Sequence, residues 1–122
     1  MANVSDVAAR DGVHELVLIP LNDPSAARRV PVINKGYFGY DGLIPGPNGS
    51  VVGISHNPAK KGSTLVQIAS DDDWKTAKVI AIKSIRRSTT VAAAGDGTYF
   101  VLNQDFKTPN APTWTLQRVS FQ

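Results

Sequence analysis

The carboxylates are the most conspicuous residues able to do chemistry. Asp71-Asp72-Asp73 has the density of a calcium loop. It lacks the alternating ligand positions and closing glutamate with which such a loop surrounds the ion, so it reads as an exposed hairpin turn. His14 and His56 have no second histidine or carboxylate at ligand spacing on a common strand, and both read as surface or loop residues. Serines and threonines are plentiful, but no Gly-x-Ser-x-Gly elbow presents one as a nucleophile. The chain has no cysteine, which excludes disulfides, thiolate metal sites and a cysteine nucleophile. Gly95-Asp96-Gly97 reads as a hairpin turn and not a phosphate cradle, because no helix follows it. Trp74 and Trp114 are expected to cover apolar hairpin edges or to stack between sheets, with ligand stacking as the alternative.

The bulk properties bound what these residues can serve. At 122 residues the chain is one domain by length, with 42% hydrophobic and 19% charged residues, which suits a folded globule and not a disordered segment. No apolar run approaches the roughly 20 residues that span a bilayer. The opening Met-Ala-Asn-Val-Ser-Asp lacks a basic region followed by an apolar stretch. No secretory signal is expected from it, and a soluble cytoplasmic protein is the default. The net charge of +3 comes from scattered or paired cations (Arg28-Arg29, Lys60-Lys61, Arg86-Arg87). Pairs of this kind read as a solvated surface; a nucleic-acid footprint is the sharper alternative. No membrane contact is expected.

Strand signals are dense. Short apolar runs closed by turn residues predict strands at Leu16–Pro20, Arg29–Ile33, Gly42–Ile44, Ser50–Ile54, Thr64–Ala69, Lys78–Ile82, Thr89–Ala93, Thr98–Leu102 and Thr115–Val119. Val4–Arg10 is the only stretch that could form even a weak helical turn. Pro31 cannot donate a ladder hydrogen bond, which sends its strand to a sheet edge. The runs also repeat. Asn48-Gly49-Ser50-Val51-Val52 matches Asp96-Gly97-Thr98-Tyr99-Phe100 at an offset of 48, and both read as tight two-residue turns feeding an apolar strand. Leu16-Val17-Leu18-Ile19 matches Leu65-Val66-Gln67-Ile68 at an offset of 49, and a third copy at Trp114–Val119 begins 50 residues after Thr64.

A unit of about 49 residues with four short antiparallel strands is what a propeller blade requires. The fold expected is therefore all-β, a partial β-propeller of about two and a half blades: a half blade over 1–35, a complete one over 36–84 and an incomplete one over 85–122. Asn3-Val4-Ser5-Asp6 would be the tail of a strand whose inner neighbour is missing. A nine-strand β-sandwich is the alternative, although it does not require a constant offset.

With the units aligned, Tyr40-Asp41-Gly42-Leu43 followed by Pro47-Asn48-Gly49-Ser50-Val51-Val52 resembles the inner-strand motif of the regucalcin/gluconolactonase-like six-bladed propellers. Ser88–Asn103 resembles the next blade of that family, and Asp72–Val79 is similar to the outer hairpin of its bacterial members. The resemblance spans about Val4 to Val119 and matches the last part of the family's ring. It implies a divalent cation (Ca, Zn or Mn) at the ring centre, held by a Glu, Asn residues and an Asp, and polarising a lactone or ester. The Asp position is Asp41, which would be both metal ligand and catalytic residue. The Glu and Asn ligands belong to blades outside this chain, and without them Asp41 reads as a turn residue bonding its own backbone ahead of Gly42.

Three functional readings follow. The first is a non-catalytic propeller-derived scaffold or binding module that self-associates to complete its blades. The second is a metal-dependent lactone or ester hydrolase, active only in a rebuilt ring. The third is nucleic-acid binding. The partners expected are a second copy, with a dimer favoured, or the missing upstream blades, together with a small-molecule ligand.

Overall fold

Turn residues at regular intervals leave apolar runs too short for helices, and the runs pair with their chain neighbours. The computed structural model describes residues 3–6, 15–33, 39–56, 62–103 and 113–121. Ten strands follow in order: β1 Asn3–Asp6, β2 Glu15–Ile19, β3 Arg28–Pro31, β4 Asp41–Pro45, β5 Val51–His56, β6 Ser63–Ala69, β7 Lys78–Ile85, β8 Ser88–Ala93, β9 Tyr99–Asn103 and β10 Thr115–Val119. They form three antiparallel meanders, β1-β2-β3, β4-β5-β6-β7 and β8-β9-β10. The fold is all-β. Val4–Asp6 belongs to β1 instead of a helical turn, its backbone paired with β2 from Asn3↔Ile19 to Asp6↔Leu16. The rest of that stretch, 7–10, lies outside the described residues, as does His14. Pro31 ends β3, an edge strand, as its missing N–H demands. Among the described residues no helix is long and apolar enough to cross a membrane.

The two hairpins expected to close on two residues instead use three. Gly46 N–H donates to Ser50 O at 2.8 Å across Pro47-Asn48-Gly49, with φ of 55° at Asn48 and 75° at Gly49. Ala94 N–H donates to Thr98 O at 3.0 Å across Gly95-Asp96-Gly97, with φ of 91° and 83° at the glycines. The residue types are those that accept positive φ; the additional residue changes only the loop length.

The sheets stack face to face. One apolar cluster joins Leu16, Val30 and Val32 of the first sheet to Tyr40, Val66 and Ile68 around the second. The other joins Val52, Ile54 and Leu65 of the second to Val91, Val101 and Val119 of the third. The middle sheet is thus covered on both sides, and a two-sheet sandwich does not describe the molecule. This explains why β5 departs from apolar–polar alternation: Val51 to Ser55 are all buried.

Three devices hold the stack in register. Val32 forms a parallel bridge to Ala77, with Ile33 N–H donating to Ala77 O and Ala77 N–H to Pro31 O, each at 2.9 Å. The Arg28 guanidinium donates to Asp73 O at 3.0 Å and to Trp74 O in the β6–β7 loop. At Gly42, φ is +58° and a Cβ would meet Thr89 O of β8 at 2.6 Å, so only glycine lets β4 and β8 approach this closely.

Leu65 is 0% exposed, at the junction of the second and third sheets. Leu65→Ala is expected to lower stability by about 2–5 kcal/mol, read as a fall in urea midpoint at constant slope. A loss below about 1 kcal/mol would contradict the stacking described.

Candidate functional site

A group of polar side chains that joins three strands lies where β4 begins, β5 ends and β6 begins, all at one end of the middle sheet. Buried Tyr40 anchors the entry to β4 on one side, and Gly42 presses against β8 on the other. Asp41 is fixed between them. Its Oδ1 accepts the Gly42 N–H at 3.0 Å, the local turn bond that a carboxylate ahead of glycine can make. Its Oδ2 lies 3.6 Å from His56 Nε2, in a pair whose side chains are 33% (His56) and 49% (Asp41) exposed.

His56 and Ser63 are direct cross-strand partners of β5 and β6. The Ser63 Oγ lies 3.2 Å from His56 Nδ1. The same hydroxyl accepts the Ser88 N–H at 3.2 Å and lies 3.3 Å from Ser88 O, so it stitches the second sheet to the third. The polar row continues along the third sheet. Ser88 Oγ bonds the Thr90 backbone, and Asn103, paired with Ser88 in the ladder, donates to Thr115 Oγ1 and Gln117 Oε1, each at 3.2 Å.

Asp41, His56 and Ser63 have the residue types of a nucleophile–base–acid triad but not its geometry. A triad needs an accessible hydroxyl and hydrogen bonds of roughly 2.6–3.2 Å on both sides of the imidazole. Ser63 is buried at 4% exposure with its oxygen committed to Ser88, and the His56–Asp41 separation is longer than a hydrogen bond. The pair is an ion pair when His56 is protonated. As metal ligands, Asp41 and His56 supply two donors. Among the described residues no group of three His, Cys, Asp or Glu side chains stands close enough to hold an ion. A hard divalent cation takes six or more oxygens, and zinc about four donors, so Asp41 and His56 would hold one only with further ligands.

The Asp41–His56 contact joins two strands, so ligand spacing along one strand does not reveal it. Counting outward from the Pro47–Gly49 loop brings the start of β4 to the height of Ser55 at the end of β5, and an irregularity between Asp41 and Ile44 sets Asp41 opposite Ile54, with His56 one diagonal step away.

Asp71-Asp72-Asp73 forms the β6–β7 turn, and Asp72 organises it. Its Oδ1 accepts the Ser70 hydroxyl at 2.8 Å and the Thr76 N–H at 3.0 Å, and its Oδ2 accepts the Thr76 hydroxyl at 2.6 Å. Both Asp72 carboxylate oxygens are thus engaged by the loop's own donors. Asp73 and Trp74 follow with φ of 59° and 60°, and Trp74 packs against the first apolar cluster. Trp114, in contrast, is 43% exposed. Gly95 and Gly97 line, with Pro45, Pro47, Thr98 and Tyr99, a shallow cleft of about 210 Å³ at the end of the sheets away from Asp41. It carries no charged side chain and is smaller than the roughly 300 Å³ at which ligand pockets begin.

No protein-family model matches the chain, and neither a curated protein nor a solved structure matches it.

Two outcomes follow. Ser63→Ala would leave the buried Ser88 N–H without its acceptor and is expected to cost about 1–3 kcal/mol in chemical denaturation; an unchanged midpoint would show that the stitch is dispensable. Hydrogen bonds from the Thr76 hydroxyl, the Thr76 N–H and Ser70 lower the Asp72 carboxyl from 3.8 to about 2. A pKa depressed on folding contributes stability that is complete above the unfolded value and is lost as pH falls through the folded one. Asp72→Asn should therefore destabilise the protein at neutral pH and flatten the decline of its urea midpoint between pH 4 and pH 2. A decline as steep as that of the parent would assign the acid sensitivity to other carboxylates.

Proposed function

We propose that this chain is a β-propeller-type scaffold, non-catalytic by itself, that works by self-association through its terminal sheets. The reading rests on a repeat of register. The pairs Asp6↔Leu16, Ile54↔Leu65 and Leu102↔Leu116 are equivalent, with offsets of 48 along β1, β5 and β9, and of 49 and then 51 along β2, β6 and β10. The last offset is one more than the sequence match suggests, because the ladder aligns Thr115 with Thr64.

One observation carries the proposal. Leu16 and Leu65 are both 0% exposed, each covered by the next sheet, while Leu116 in the same structural position is 71% exposed. Phe100, on the same face, is 37% exposed. Covering a leucine side chain is worth about 1.5–3 kcal/mol, so a face of this composition favours a partner. The resemblance to regucalcin/gluconolactonase-like propellers supports the same architecture through the order and spacing of its motifs. It supports lactone hydrolysis less well, since Asp41 has one imidazole beside it and no third ligand among the described residues.

Sedimentation velocity over a micromolar concentration series is expected to show a dimer or larger species, and Leu116→Asp is expected to shift it to monomer with an unchanged circular-dichroism spectrum. A parent chain that stays monomeric throughout that range would overturn the proposal.

A further inference from the structure

The two free sheet faces of this chain are not alike, and the stack inside the molecule shows which kind of face covers which. Each sheet has a leading face, carrying the leucine of its second register position, and a trailing face. In the middle sheet the trailing face is Val66 and Ile68, both 0% exposed, and it meets Leu16 on the leading face of the first sheet. The leading face of the middle sheet, with Val52, Ile54 and Leu65, meets Val101 and Val119 on the trailing face of the third. Both junctions are leading on trailing.

Among the described residues one face of each kind is therefore left without a neighbouring sheet. The free leading face is that of the third sheet, with Phe100, Leu116 and Arg118, the last lying 5.3 Å from the Phe100 ring centroid while its guanidinium bonds Asp96 at 3.1 Å. The free trailing face is that of the first sheet. There Val17 and Ile19 occupy the positions of Val66 and Ile68, since Asn3↔Ile19 is equivalent to Val51↔Ile68, and both are half-buried where their counterparts are covered. The lateral edges at β3 and β7 are less inviting. β3 carries Arg28, Arg29 and Pro31, and on β7 the exposed Ile80 and Ile82 are flanked by Lys78 and Lys83. Charges and proline at an edge discourage strand pairing.

We propose that a second copy of this chain docks head to tail, the leading face of its third sheet on the trailing face of the neighbour's first sheet, continuing the junction already made twice within the molecule. The inference rests on the self-association proposed above and assigns its geometry. Such an interface is heterologous, so it closes into a ring or extends as a filament, and it cannot be a single symmetric face-to-face contact.

The test is a mixing experiment. Leu116→Asp blocks the leading face and Ile19→Asp the trailing face. Each variant alone is expected to sediment as a monomer, because every contact needs one face of each kind. Mixed in equal amounts they are expected to form a one-to-one complex that grows no further, since only one intact face of each kind remains. If Ile19→Asp alone still associates as the parent does, the contact is leading on leading and this geometry is wrong, while self-association stands. If the parent is monomeric, both fail together. Should either aspartate variant lose its circular-dichroism signature, single cysteines replace it, which the cysteine-free chain permits without background. A mixture of Leu116→Cys and Ile19→Cys is then expected to oxidise mainly to the mixed dimer. Predominance of the Leu116→Cys homodimer would overturn the proposal.

Discussion

Burial of both faces of the middle sheet is the constraint on which this molecule depends. Val51 to Ser55 of β5 are buried without alternation, and Leu65, Val66 and Ile68 of β6 are 0% exposed although they point to opposite sides. A strand of this kind has no face to offer water, so it requires an apolar neighbour on each side. The first and third sheets supply those neighbours. Several local features then follow as conditions of close stacking. Gly42 removes the side chain that would strike β8, Arg28 of the first sheet collects carbonyls from a loop of the second, and the Val32–Ala77 bridge aligns the two. All three act between residues far apart in the chain, and none improves the strand to which it belongs.

The polar row from Asp41 to Asn103 is a consequence of the same stacking. Where sheet ends meet, backbone groups leave their own ladders and would be buried without partners, a cost of about 1–3 kcal/mol each. Ser63 and Ser88 satisfy one another across that junction, and His56 lies over them with Asp41 at its outer edge. The chemistry-bearing residue types are here, but the Ser63 oxygen is committed to the main chain, and among the described residues no third His, Cys, Asp or Glu joins the exposed pair. This end of the sheet is built as a seam. The contrast with Asp72 is instructive: it too draws donors from its own neighbourhood, yet its function is to fold a turn that Arg28 can grip.

Asymmetry between the two ends of the stack follows from repetition. When sheets pile leading face on trailing face, the pile ends in two different surfaces. Leu116 and Ile19 are the outcome of that rule in this chain. Along the sides, Lys78, Lys83 and Pro31 give the exposed edge strands charge and a missing donor. The faces stay apolar while these two edges are blunted.

The sequence by itself determined what is local. Apolar runs bounded by Gly, Pro, Asn and Asp could be read as strands because side-chain alternation and turn chemistry act over a few residues, and Pro31 announced an edge because it has no N–H to give. The repeat near 49 residues was legible for the same reason, since equivalent strands need equivalent residues. Tertiary structure alone decided the rest. It set the third offset at 51 by ladder pairing, lengthened two hairpin loops to three residues, and brought His56 to Asp41 from an adjoining strand. It also decided that Leu65 is covered and Leu116 is not, two leucines that each follow a threonine near the start of a strand. Burial depends on what arrives from elsewhere in space, and no window of neighbouring residues contains that information.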